Sequence, residues 1–160
     1  MPKKARTPQL PLRLDAAAPD PASGWCSGRG LPYLGRRISL RLDSDLQEAT
    51  LIGDELHLPL PPEATPRQIQ DAAESWLRAR ALRTVGAQLV MAARRLNRPV
   101  PALVISFASR GGWLQADERG GLRCHWRLIE QPQEVIAQVV ARALFALPVA
   151  AESLDLFALA

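Results

Sequence analysis

The sequence predicts an α+β domain, a small antiparallel or mixed sheet packed with helices, behind a disordered N-terminal tail. Three observations predict it. Apolar residues alternate through Arg37–Leu42 and Leu56–Leu60, the period of half-buried strands. A capped helical pattern starts at Thr65. A second apolar helical run follows Pro132.

The chain has 160 residues, room for one domain of ordinary size plus a tail. Residues 1–30 carry Pro2, Pro8, Pro11, Pro19, Pro21 and no sustained periodicity, so they read as a flexible tail, with the domain spanning 31–160. Trp25 either pins the end of this tail to the domain or is an exposed linker aromatic. Five basic and two acidic residues fall in the first 30, a net of +3 out of the chain's +4. A nucleic-acid reading drawn from net charge would therefore be a reading of the tail. Lys3 and Lys4 are the only lysines against 18 arginines, a bias expected of a bacterium with a GC-rich genome.

The expected strands are Tyr33 onward, Arg37–Leu42, Ala49–Ile52 and Leu56–Leu60, forming an antiparallel meander that turns at Gly53-Asp54. Pro59 makes the last of these an edge or cuts it short. Thr65 as N-cap, Pro66 at the first position and Gln68 three after the cap open a helix running to about Asn97. Ile69, Ala72, Ala73 and Trp76 form one stripe; Leu82, Val85, Leu89, Ala93 and Leu96 form another, out of phase. A bend or break near Arg80 is expected. Leu103–Ala108 reads as a strand and Arg110-Gly111-Gly112 as a joint. A hairpin pairs Trp113–Ala116 with Leu122–Arg127 across the turn 117–121. Gln133–Leu147 is apolar on most sides and is expected to be a buried helix ended by Pro148. A last short helix covers Glu152–Leu159.

Common catalytic chemistry is poorly supplied. His57 and His125 are the only histidines, and zinc needs three or four converging ligands. Cys124 and His125 are neighbours on a strand and point to opposite sides, so they cannot chelate together. No Gly-x-Ser-x-Gly elbow, P-loop or dinucleotide fingerprint is present. Asp54-Glu55 and Asp117-Glu118 read as solvated turn residues. Cys26 and Cys124 are too few for a disulfide framework, which points to free thiols and a cytoplasmic location. No signal peptide is visible, and the most apolar run, 135–151, is interrupted by Gln138, Arg142 and Pro148, so no membrane span is expected.

Several motifs stand in a family-like order. Tyr33-Leu34-Gly35-Arg36-Arg37 opens it. Trp76 is followed by Ala79 and Ala81. Trp113 and Trp126 lie thirteen apart, and Trp126-Arg127-Leu128-Ile129 leads to Pro132. In this order the chain resembles, over residues 33–157, the YgjP-like metallopeptidases, zincins related to the SprT and WLM groups. The resemblance implies a zincin-like fold and a zinc helix reading His-Glu-Leu-Ala-His-Leu after a Val-Val pair, its two histidines holding the metal and its glutamate serving as general base. Here Val139-Val140 leads into Arg142-Ala143-Leu144-Phe145-Ala146-Leu147. Arg142 takes the first ligand position, Ala143 that of the base, Ala146 the second ligand position and Glu152 the third. Zinc, expected for the family, is therefore not expected here. Arg142 either pairs with Glu152 in a buried ion pair or reaches solvent.

The resulting expectation is a catalytically inactive relative of a zinc metallopeptidase that binds a peptide or protein, or regulates one. Leu122–Arg127 would be the edge strand offered to an extended peptide, with Arg123, His125 and Arg127 facing it. Two alternatives stand beside it. One is an active metal-dependent hydrolase with a rearranged site. The other is a nucleic-acid binder using a polyanion patch of Arg78, Arg80, Arg83, Arg94, Arg95 and Arg98, against which the scarcity of base-stacking aromatics counts.

Overall fold

The computed structural model describes residues 24–107 and 111–149; the expected 1–23 tail and the Glu152–Leu159 helix lie outside them. Four strands form the first sheet: β1 (Gly30–Tyr33), β2 (Arg36–Leu42), β3 (Thr50–Ile52) and β4 (Glu55–Leu58). A long helix, α1 (Pro66–Arg95), leads to a second sheet of β5 (Leu103–Ser106), β6 (Leu114–Ala116) and β7 (Leu122–His125). A 3₁₀ turn, Trp126–Glu130, then delivers the chain to α2 (Gln133–Ala146). The α+β architecture is the one that the alternation and the helix cap predicted.

The first sheet is not a meander. Its order is β1-β2-β4-β3, and β2 pairs with β4 in parallel, Leu40 opposite Leu56 and Leu42 opposite Leu58. The link between β2 and β3 carries the chain past β4, and the Gly53-Asp54 turn folds β4 back between them. Local alternation fixes which face of each strand is apolar but not which strands are neighbours. Ile38, Leu40, Leu56 and Leu58 are all buried, so β4 lies inside the sheet. Pro59 does what was expected in one respect: the strand stops at Leu58.

The β1–β2 turn shows why Leu34-Gly35 follows Tyr33. Leu34 and Gly35 both have positive φ, 49° and 77°, as a two-residue type I′ hairpin requires. The turn docks on the end of the 3₁₀ turn: the Leu34 amide donates to the Ile129 carbonyl at 2.8 Å and the Gly35 amide to that of Glu130 at 3.0 Å. A Cβ on Gly35 would meet the Pro132 ring at 2.8 Å. Gly35→Ala should therefore destabilise the fold by about 1–3 kcal/mol through backbone strain alone, read as a lower urea midpoint.

Helix α1 is continuous, and the expected break at Arg80 is absent. Thr65 and Gln68 make the reciprocal capping box predicted for them. The buried residues step by four: Ile69, Ala73, Leu77, Ala81, Val85, Leu89 and Ala93, with Trp76 beside them. Each such step overshoots a full turn by about 40°, so the stripe winds roughly 240° round an unbroken helix. Its first half packs in a core with Leu40, Leu56 and Tyr33; its second half packs with Leu122, Leu128, Ile136 and Val140. Arg80, at the apparent gap, lays its guanidinium 5.1 Å from the Trp76 ring centre.

Helix α2 is also unlike its expectation. Ile136, Val140 and Leu144 are buried, while Gln138, Arg142, Phe145 and Ala146 are exposed. One face only meets the core. Trp25 is buried in the first core, and the Gly28 amide donates to the Leu40 carbonyl. Residues 25–30 thus belong with the domain rather than with a tail.

Candidate functional site

Val139 to Leu147 is the segment on which a metal helix would depend. Arg142 and Ala146 are four apart and exposed on one face of α2. Ala143 is half-buried and packs against the second core, and β6 lies alongside the helix. Arg142 has no hydrogen-bond or ion-pair partner among the described residues and sits in solvent, so the buried reading of this side chain is set aside; Glu152 lies outside the described residues. Arg142→Met should accordingly shift stability by no more than about 0.5 kcal/mol, measured by thermal or urea unfolding.

The strand expected to be the peptide edge is the centre of its sheet. β7 pairs with β5 in parallel and with β6 antiparallel, in the order β5-β7-β6. Its two rows of backbone groups are thus already paired, and among the described residues the sheet edges are β5 and β6. The face assignment was right in part: Leu122 and Cys124 are buried and Arg123 is exposed. Arg127 is not on the strand, which ends at His125. The His125 Nδ1 instead accepts from the Arg127 amide at 3.2 Å, capping the 3₁₀ turn. Burial also pushes the Cys124 thiol up to about 12, so it is no nucleophile near neutral pH.

The fold gathers a cluster that sequence reasoning missed. The His125 ring stacks on Trp126, centroids 6.4 Å apart, and meets Trp113 edge-on at 6.2 Å. Two guanidiniums approach the Trp126 ring, Arg127 at 5.3 Å and Arg78 at 6.0 Å from its centre. Arg78 also covers the exposed Phe107 ring at 4.7 Å and pairs with Glu74 at 2.7 Å. Glu74, Arg78, Phe107, His125, Trp126 and Arg127 line an open concavity of about 460 Å³. Glu130, partly desolvated beneath Arg127, has its carboxyl pKa raised by burial, an effect the Arg127 charge opposes. The thirteen-residue spacing of Trp113 and Trp126 was the available signal; the contribution of Phe107 had none.

The arginines of α1 do not form one free stripe. Arg78 is engaged with Glu74 and Phe107, Arg80 with Trp76. Arg98 donates to the carbonyls of Leu144 and Leu147, closing the C-terminus of α2. Arg83, Arg94 and Arg95 are left exposed. His57 is half-buried on β4, its nitrogens 3.7 Å from Asp43 and 3.4 Å from Glu55. Among the described residues, no group of three or more His, Cys, Asp or Glu is placed to hold a metal ion, and no helix is long and apolar enough to cross a membrane.

Two small sheets packed on one long helix, with a second helix presenting Arg142 and Ala146 beside a sheet edge, make an α+β domain. The chain belongs to the YgjP-like family, described as a YgjP-like, metallopeptidase domain, which matches residues 11–142. The match ends at Arg142. No curated protein and no solved structure gives a match. A zinc ion does not fit the residues present. Arg142 offers a cation, and Ala143 and Ala146 offer methyl groups, where a catalytic site needs lone-pair donors and a base.

Proposed function

We propose that this chain is a non-catalytic member of its metallopeptidase family, a module that binds a peptide or protein and through it regulates a partner. The reading rests on Arg142, Ala143 and Ala146, which stand where the family resemblance puts the ligands and the base. No step of metal-assisted hydrolysis can be written through them. What a peptidase scaffold retains without its metal is its capacity to hold an extended chain. The interior position of β7 moves that capacity to β6, the edge beside α2. Arg123 and the His125–Trp126 concavity would then meet the side chains of the guest. A cytoplasmic location accords with both thiols being free.

The test is metal analysis of the untagged, full-length chain together with a peptidase assay. We expect well below one equivalent of Zn, Mn, Fe or Ni per chain and no cleavage of casein. A stoichiometric metal surviving dialysis, or cleavage abolished by a chelator, would overturn the reading in favour of a rearranged active hydrolase. Steeply salt-dependent retention on DNA would favour the nucleic-acid reading instead.

A further inference from the structure

The last turns of α1 and the outer flank of α2 leave an apolar groove of about 360 Å³. Met91, Leu96 and Phe145 line it and are 48%, 42% and 73% exposed. The rest of its apolar lining is Ala92, Ala137 and Ala141, whose short side chains leave the space open. Large apolar side chains gathered and exposed in this way mark an interaction surface. The lining runs from Gln88 to Leu96 on α1 and from Ala137 to Phe145 on α2, in each case a rise of about 12 Å, or two helical turns.

The charge around this groove has one sign at one end. Arg95 lines it in the last turn of α1, and Arg94 precedes it. Arg142 comes three residues before Phe145, so the two are neighbours on the surface of α2. All three arginines are exposed, and none has an ion-pair partner among the described residues. From Arg78 to Arg98 the sequence holds no acidic residue. Glu134, the only acid of α2, lies in its first turn, at the other end of that helix from Phe145. The two C-termini meet, since Arg98 donates to the carbonyls of Leu144 and Leu147. Three unpaired cations therefore flank the end of an apolar groove.

We propose that the groove docks an acidic amphipathic helix of another protein. Its apolar side chains, spaced i, i+4 and i+7, would enter between Met91, Leu96 and Phe145, and carboxylates beside them would pair with Arg94, Arg95 and Arg142. Helix is the form the walls select. The backbone groups of α1 and α2 are bonded within each helix, so an extended guest would lay unpaired amides on apolar side chains, whereas a helical guest satisfies its own. A second copy docking through the same face would set these arginines against each other, on a chain already at +4. A nucleic-acid backbone would meet the arginines and leave the apolar lining uncovered. Neither the groove nor its charge depends on whether β6 or the His125–Trp126 concavity holds a guest.

Two fluorescein-labelled model peptides test it against the full-length chain by fluorescence anisotropy. Each is about 15 residues long, enough to form a helix, and each has one leucine face; the polar face is glutamate in one and lysine in the other. We expect the glutamate peptide to bind saturably and the lysine peptide about tenfold more weakly or worse. Phe145→Asp should lower affinity for the glutamate peptide about tenfold; its exposure lets the chain keep its urea midpoint. Arg94→Glu with Arg95→Glu should reverse the preference between the two peptides. No saturable binding up to about 1 mM peptide, equal binding of both peptides, or binding indifferent to Phe145→Asp overturns the proposal. So does a dimer in sedimentation that Phe145→Asp disperses, which would make a second copy the occupant. Displacement of the glutamate peptide by a DNA oligonucleotide at equal concentration also overturns it, assigning the arginines to nucleic acid.

Discussion

The triple replacement Arg142→His, Ala143→Glu, Ala146→His should give the chain a zinc site that the native sequence is expected to lack. Positions 142 and 146 are four apart and both exposed on one face of α2, so two histidines there would stand one turn apart and could share an ion. Position 143 is half-buried against the core, so a glutamate there must swing outward, at some cost in stability. Three substitutions add no hydrogen-bond partners to orient the new histidines, and that lack weakens zinc binding about 10–100-fold. Calorimetric titration of the triple variant against the native chain reads the gain. Adding Glu152→Ala asks whether that carboxylate is the third ligand of a His-His-Glu set. Affinity should fall with that change; zinc binding indifferent to it would mean that another group completes the site. A folded triple variant that binds no zinc would mean that these positions do not correspond to the family's metal helix.

Legibility of the fold followed the distance over which each interaction acts. The Thr65–Gln68 capping box and the β6–β7 turn were readable because all their partners lie within a few residues. Asp117 Oδ1 accepts from the amides of Arg119 and Gly121, both at 2.8 Å. The parallel pairing of β2 with β4 was not readable, since alternation is identical whichever strand lies alongside. The supposed break at Arg80 came from fitting two straight stripes to one that winds. The candidate site divided in the same way. Arg142, Ala143 and Ala146 could be located because a helix fixes their relative positions from spacing alone. The grouping of Arg78, Phe107, Trp113, His125 and Trp126 joins three separate segments, and only the tertiary fold brings it about. Taking Leu122–Arg127 for an edge failed for that reason too: β5, its other neighbour, is separated from it by a whole hairpin arm.

Trp25→Ala should cost about 3–5 kcal/mol, the range for truncating a buried large aromatic. Trp25 is only 9% exposed and packs in the core built by Leu31, Tyr33, Leu40 and Trp76. The Arg29 guanidinium covers its outer face at 4.5 Å from the ring centre, shielding it as the chain enters β1. The Gly28 amide bond to Leu40 and the Arg29 carbonyl, which accepts from the Leu40 amide at 2.9 Å, extend the sheet back toward it. For a domain of this size a loss of that order lowers the thermal midpoint by about 6–20 °C. Deleting residues 1–28 should reproduce it, because Trp25 goes with them, whereas deleting 1–23 spares the aromatic and should leave the midpoint within a few degrees. Thermal unfolding of the three chains, followed by tryptophan fluorescence and by far-UV circular dichroism, separates the cases. A midpoint unchanged by Trp25→Ala would show that the first core closes without this residue and that the domain starts at β1.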